Sequence, residues 1–124
     1  MDDTFTEEEK LYRAVYPPSH PGMFWKKDGT LSPAAFADLK GLSVERGNMR
    51  SSEMVLNKMK KAFSGCIVSV TVENCHETDA VVKYLPSNNN KYHCEIHGSP
   101  TIPLLDKSQR YHLAKKAKIE YMEA

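Results

Sequence analysis

The stretch of sequence that most strongly constrains the fold is residues 66–73, which read CIVSVTVE. One set of alternate positions holds Cys66, Val68, Val70 and Val72, and the other holds Ile67, Ser69, Thr71 and Glu73. Side chains on a β-strand point alternately to its two faces, so this alternation predicts a half-buried strand. The strand lies within residues 51–118, the best organised part of the chain.

Two helices are predicted to flank the strands of this region, over residues 51–63 and 106–118. Helical spacing of apolar residues marks the first helix, and Gly65 follows it as a stop. In the second, Asp106 and Gln109 have the spacing of a capping box. The apolar positions are Val55, Leu56, Met59, Ala62 and Phe63 in the first helix, and Tyr111, Leu113, Ala114 and Ala117 in the second.

Two further strands are predicted over residues 80–85 and 90–97, joined by a turn that contains Pro86 and a run of asparagines. The order from residue 51 is helix, strand, strand, strand, helix. We therefore expect an α+β fold with a small antiparallel sheet of about three to four strands. Its centre is built from 66–73, 80–85 and 90–97, with both helices packed on one face.

The first 50 residues are predicted to form an N-terminal helix and a Pro-rich segment that covers the core. Thr6 and Glu9 have the spacing of a helix cap, and Pro17 stops the helix because the residue before a proline is pushed out of the α region. Ser32 and Pro33 predict a short helix that ends at Gly41, and a short strand is predicted over 42–46.

Length and composition bound the class of protein. The 124 residues fit a single domain, 1–124, and no apolar run reaches the 18 or so residues that would span a membrane. The acidic start of the chain argues against a secretory signal. Cys66, Cys75 and Cys94 are an odd number without Cys-x-x-Cys spacing, which indicates buried, reduced thiols rather than disulfides or a zinc ribbon. A cytoplasmic protein without a cofactor is expected.

A basic cluster on the last predicted helix is the first candidate for function. It consists of Lys107, Arg110, Lys115, Lys116 and Lys118. The order of elements resembles that of double-stranded-RNA-binding domains, whose second helix also carries a basic cluster. The resemblance implies binding of nucleic acid, RNA more than DNA, through phosphate contacts. An acidic protein partner and a plain solvated surface remain alternatives.

The second candidate is His93-x-Glu95-x-His97 on the last predicted strand. Alternate residues of a strand share a face, so two imidazoles and a carboxylate would emerge together. They could share a metal ion, with His76 as a further ligand, or act as general acid and base. The alternative is a polar stripe that faces solvent or is covered by the N-terminal segment.

The N-terminal segment would bring Arg13, His20, Trp25 and Ser32 to this polar face, combining cations with an aromatic wall. The order Arg13, Ser32, Glu95 is loosely similar to the Arg–Ser–Glu sequence of some ADP-ribosyltransferases. A zinc deaminase is excluded because no Pro-Cys-x-x-Cys follows His93. The sequence thus indicates a small binding or accessory protein that uses its basic helix. The alternative is a small enzyme that uses His93, Glu95, His97 and Arg13 on a phosphate or nucleotide-like substrate.

Overall fold

The computed structural model describes residues 3–123, which form an α+β fold around one antiparallel sheet. The strands are β1 Lys10–Val15, β2 Leu42–Arg46, β3 Cys66–Thr71, β4 Val81–Tyr84, β5 His93–His97 and β6 Lys118–Tyr121. The helices are α1 Ser52–Ala62, α2 Val72–His76 and α3 Lys107–Lys116, and a 3-10 helix spans Pro33–Phe36. The predicted fold class is confirmed, but the sheet is larger than the three to four strands expected.

The strand order is β4-β5-β2-β1-β3-β6, with antiparallel pairing throughout. The three strands predicted to form the centre of the sheet are therefore not contiguous. β4 and β5 form the expected hairpin, but β2 and β1 separate them from β3. The sequence-based arrangement was wrong because it placed no strand of the first 50 residues between them.

The predicted N-terminal helix was wrong, because Lys10–Val15 is a strand in the middle of the sheet. β1 pairs with β3 over six residue pairs, from Lys10 opposite Thr71 to Val15 opposite Cys66. The predicted cap corresponds only to a turn, in which the Glu9 N–H donates to the Thr6 carbonyl at 3.2 Å. Pairing on both edges of a central strand outweighs a local capping preference, which is a weak contribution by itself.

The helices pack on both faces of the sheet, not on one. Leu113 of α3 belongs to a large core that includes Leu11 of β1. Met59 of α1 belongs to a smaller core with the next residue, Tyr12. Consecutive strand residues point to opposite faces, so α1 and α3 lie on opposite sides. No helix within residues 3–123 is long and apolar enough to cross a membrane.

Capping residues explain where two predicted elements end early. The strand predicted over 66–73 stops at Thr71, whose hydroxyl accepts the Asn74 N–H at 3.0 Å and begins α2. The helix predicted over 106–118 ends at Lys116, and extended backbone at Ala117 leads into β6. Both changes lie at boundaries where a neighbouring element competes for the same residues.

The 3-10 helix is shorter than predicted. Ser32 caps it as expected, accepting the Ala34 N–H at 3.2 Å, and Pro33 is its first residue. It ends at Phe36 rather than at Gly41, because Ala37 is extended. The buried Phe36 ties this helix to the larger core.

The three cysteines are buried and form no disulfide, as predicted. Burial raises the pKa of the Cys75 thiol to about 12, and that of Cys94 to about 12 as well. Because the thiolate is the nucleophilic form, these two groups are unreactive at neutral pH.

The β1–β2 junction in the middle of the sheet is narrow, with registered pairs only at Leu11–Arg46 and Tyr12–Glu45. One end is closed by the Arg46 guanidinium, which donates to the Glu9 carboxylate at 2.8 and 3.0 Å. The two side chains are only 1% and 8% exposed. The rings of Phe5 and Tyr84 flank Arg46, with their centroids 4.2 and 5.1 Å from Cζ. This ion pair fixes the segment before β1 to the end of β2.

We expect Arg46→Met to lower the free energy of unfolding by about 3 kcal/mol or more, because it leaves the Glu9 carboxylate buried without its cation. Urea denaturation measures this loss. The double variant Arg46→Met/Glu9→Met should lose less than the single one. Glu7→Gln, which removes a half-exposed pair with His76, is the control and should cost less than about 1 kcal/mol. Equal losses in Arg46→Met and Glu7→Gln would contradict the role assigned to Arg46.

Candidate functional site

The three residues predicted on the last strand share one face of β5 and contact one another. The Glu95 carboxylate lies between two imidazoles, with Oε1 2.8 Å from His97 Nε2 and Oε2 3.4 Å from His93 Nε2. The side chains of His93, Glu95 and His97 are 28%, 22% and 11% exposed. The group is thus a connected His–Glu–His chain, not three side chains that diverge into solvent.

Gly41 sets the position of the inner end of this chain. It immediately precedes Leu42, which pairs with Ile96, so it lies across from His97. A Cβ on Gly41 would be only 2.5 Å from His97 Nε2 and 2.8 Å from Glu95 Oε1. Gly41 also has a φ of +102°, which favours glycine. The imidazole of His97 therefore packs directly on the backbone before β2.

Arg13 lies at the other end of the β1–β2 junction from Arg46. Its Nε donates to the Ala35 carbonyl at 2.8 Å and its Nη1 to the Ser43 carbonyl at 3.1 Å. Burial lowers the pKa of the Arg13 guanidinium, and the nearby Asp38 carboxylate partly opposes this. Two backbone carbonyls thus hold the side chain in place without neutralising it.

One nitrogen of Arg13, Nη2, is left without a hydrogen bond to the described part of the chain. No buried side-chain nitrogen or oxygen in residues 3–123 lacks a partner. The Nη2 atom is consequently not fully buried. Two N–H donors of the guanidinium are therefore left without an acceptor in residues 3–123.

Arg13 and His93 both line a cavity of about 150 Å³, together with Ser43, Glu45 and Asn90. A second cavity, of about 530 Å³, shares Arg13, Ala14 and Phe63 with the first. We call the two together the groove. It is polar at the His93 end and its far end is lined by aromatic side chains, Tyr16 and Phe24.

Glu45 holds the polar end of the groove together. Its carboxylate accepts hydrogen bonds from Lys58 at 2.7 Å, Arg50 at 3.0 Å and Asn90 at 2.8 Å. Burial alone would raise the pKa of Glu45, but these three donors outweigh it and lower the pKa below the ordinary value. The carboxylate is therefore ionised and ties α1 to β2 and to the loop before β5.

Three other residues that the sequence placed near this site, His76, Trp25 and Ser32, lie elsewhere. His76 Nδ1 is 2.7 Å from a Glu7 oxygen, on a helix that packs in the larger core. Trp25 donates from Nε1 to the Tyr16 carbonyl at 2.7 Å, and Ser32 caps the 3-10 helix. The arrangement of Arg13, Ser32 and Glu95 as a single site is thus not supported. No cluster of three or more His, Cys, Asp or Glu side chains in residues 3–123 is arranged to hold a metal ion.

The basic cluster lies on and just beyond α3. Four of its members are exposed and Arg110 is partly buried: Lys107, Lys115, Lys116, Lys118 and Arg110. None of the five forms an ion pair with another residue of the range 3–123. The sheet and helix arrangement implied by the resemblance to double-stranded-RNA-binding domains is absent, because α1 and α3 lie on opposite faces.

Sequence reasoning missed most of the groove. Tyr16, Phe24 and Asn90 carried no periodic signal, and Phe63 was assigned to the buried face of α1 although it is 55% exposed. The available signal was the position of Phe63 at the C-cap of α1, two residues before Gly65. A large apolar side chain at such a position projects beyond the packed face of the helix. Comparison of the chain with protein-family models, curated proteins and solved structures found no match.

We expect Glu45→Gln to make the free energy of unfolding depend less on pH in the acid range. The folded pKa of Glu45 is below its unfolded value, so its contribution is present above about pH 4.5 and is lost as the pH falls through the folded pKa. Urea denaturation at about pH 7 and about pH 3 measures it: the variant should be less stable than the wild type at the higher pH, and the two should converge at the lower. The exposed Glu8→Gln is the control, and it should match the wild type throughout. A constant difference between Glu45→Gln and the wild type at both pH values would contradict the assignment.

Proposed function

We propose that the protein performs acid–base chemistry on a phosphate ester bound in the groove. The observation that carries this proposal is that Arg13, whose Nη2 makes no hydrogen bond within residues 3–123, lines the same cavity as His93. A guanidinium binds phosphate oxygens through paired N–H donors, and an imidazole is the side chain best suited to proton transfer near neutral pH.

Each residue has a separate role in this proposal. Arg13 binds the phosphate and stabilises the negative charge that develops on it. His93 is the general base and acid, and Glu95 is a positioning residue that orients its ring, while His97 holds Glu95 in turn. The 3.4 Å separation of His93 and Glu95 is long for a hydrogen bond, as is common before substrate binds.

The reaction proposed is hydrolysis of the ester by water. His93 accepts a proton as the water oxygen attacks phosphorus, so that a new P–O bond forms. The bond from phosphorus to the leaving oxygen breaks, and that oxygen takes its proton from the imidazolium of His93. One water is consumed, one phosphate and one alcohol are released, and the imidazole returns to its neutral state.

We expect the wild-type protein to release nitrophenol from 4-nitrophenyl phosphate, and His93→Asn to lower kcat by about 100-fold or more, because general acid–base catalysis contributes on that scale. Arg13→Lys should mainly raise KM, since it keeps the charge but loses the planar pair of donors. Nitrophenol release is followed by absorbance.

His112→Asn is the matched control for His93, because His112 also contacts a glutamate, Glu77 at 2.9 Å, and is also 28% exposed. Its activity should equal that of the wild type. No release above the rate in buffer by the wild-type protein, or equal loss in His93→Asn and His112→Asn, would contradict the proposal.

The basic cluster supports a second candidate function, the binding of nucleic acid. Five cations without ion-pair partners could contact phosphates along a strand, with RNA preferred to DNA as the sequence suggested. The same charges would also suit an acidic protein partner.

If this second function holds, Lys115→Glu/Lys116→Glu should abolish retention on immobilised duplex RNA. Binding of the wild type should fall linearly with the logarithm of the salt concentration. Lys60→Glu/Lys61→Glu, an exposed pair on α1, is the control and should still be retained. Absence of wild-type binding at about 50 mM salt would exclude it.

A further inference from the structure

The wide end of the groove is walled by a group of stacked rings. Tyr16 and His20 lie parallel, with centroids 4.1 Å apart and an angle of 14° between their planes. Phe24 packs at an angle on both, at 5.4 and 5.6 Å. Tyr16 and Phe24 line the groove. We call this group the aromatic wall.

The aromatic wall is hydrogen-bonded to the chain around it. The Trp25 indole donates to the Tyr16 carbonyl at 2.7 Å, and the Gly22 N–H donates to His20 Nδ1 at 3.0 Å. A Cβ on Gly22 would lie 2.5 Å from a ring atom of Phe24, so the rings pack closely on this turn. Tyr16 is nevertheless 56% exposed, so its ring is ordered by neighbours yet accessible to a ligand.

Phe63 adds a further aromatic side chain, so that three rings border the same space as Arg13. Leaving a rigid aromatic surface in water is unfavourable, and a flat ring that stacks on it removes that cost. An anion at Arg13 gains a charge-assisted hydrogen bond from Nη2. The groove is thus suited to a ligand that is flat and aromatic at one end and anionic at the other.

We infer that the groove binds a nucleoside monophosphate, with the base against the aromatic wall and the phosphate at Arg13. This inference rests on the proposed function, since it names the substrate class of the same site. Ser43 lines the polar cavity next to Arg13 and adds a hydroxyl to it. The volume of about 530 Å³ lies within the range of small-molecule sites.

The inference is tested by calorimetric titration with AMP and with ribose 5-phosphate, which lacks the base. AMP should bind at least about fivefold more tightly, since stacking of one base on aromatic side chains is worth at least that factor. Tyr16→Ala should remove this advantage, while its affinity for ribose 5-phosphate stays that of the wild type. The substitution keeps the backbone carbonyl that Trp25 contacts.

Tyr111→Ala is the matched control, because Tyr111 is also an exposed tyrosine, at 53%, but lies on α3 outside the groove. It should bind AMP as the wild type does. Equal affinity of the wild type for AMP and ribose 5-phosphate overturns the nucleoside inference. If both compounds bind with equal affinity and Arg13→Lys weakens the binding of both, the proposed phosphate site still stands. Binding of neither compound overturns the inference and the phosphate site together.

Discussion

The structure depends on how β1 is joined to β2. Only two registered residue pairs connect these strands, and two arginines hold the rest of the junction. Arg46 closes one end with a buried, doubly hydrogen-bonded ion pair to Glu9. Arg13 spans the other end by donating to the carbonyls of Ala35 and Ser43. Side chains thus supply contacts here that backbone pairing supplies elsewhere in the sheet. Removing one member of the buried ion pair is therefore expected to destabilise the protein strongly.

The groove exists because of this junction. Where β1 and β2 stop pairing, Arg13 donates to the Ser43 carbonyl of β2 and lines a cavity. α1 covers the sheet over Tyr12 and Ile67, and His93 and Glu95 are left only partly covered on the same face. The cation that bridges these strands is therefore also the group proposed to bind phosphate, so the integrity of the fold and the proposed binding depend on one residue.

Local patterns predicted the elements that depend mainly on their own residues. Alternation identified β3 and placed His93, Glu95 and His97 on one face, and caps located α1 and α3 to within a few residues. The location of β1 could not be derived in this way, because Thr6 and Glu9 have the spacing of a cap while the strand owes its stability to β3, over fifty residues away. Because the residues of β1 were predicted to be helical, the sequence could not predict that Arg13 contacts β2. Nor could it predict that Arg13 and His93 line one cavity. The aromatic wall arises from a Pro-rich loop without periodicity.

The pairing of β6 with β3 has a consequence for contacts between molecules. β6 is an edge strand, and its register shifts between Ile67 and Val68 of β3. At this irregularity Glu120 reaches the Lys10 ammonium and the Ser69 hydroxyl, at 2.9 and 2.7 Å. A short edge strand with a bulge and charged side chains is a poor template for strands of other copies. The feature that completes one side of the sheet thereby also opposes its growth into an aggregate.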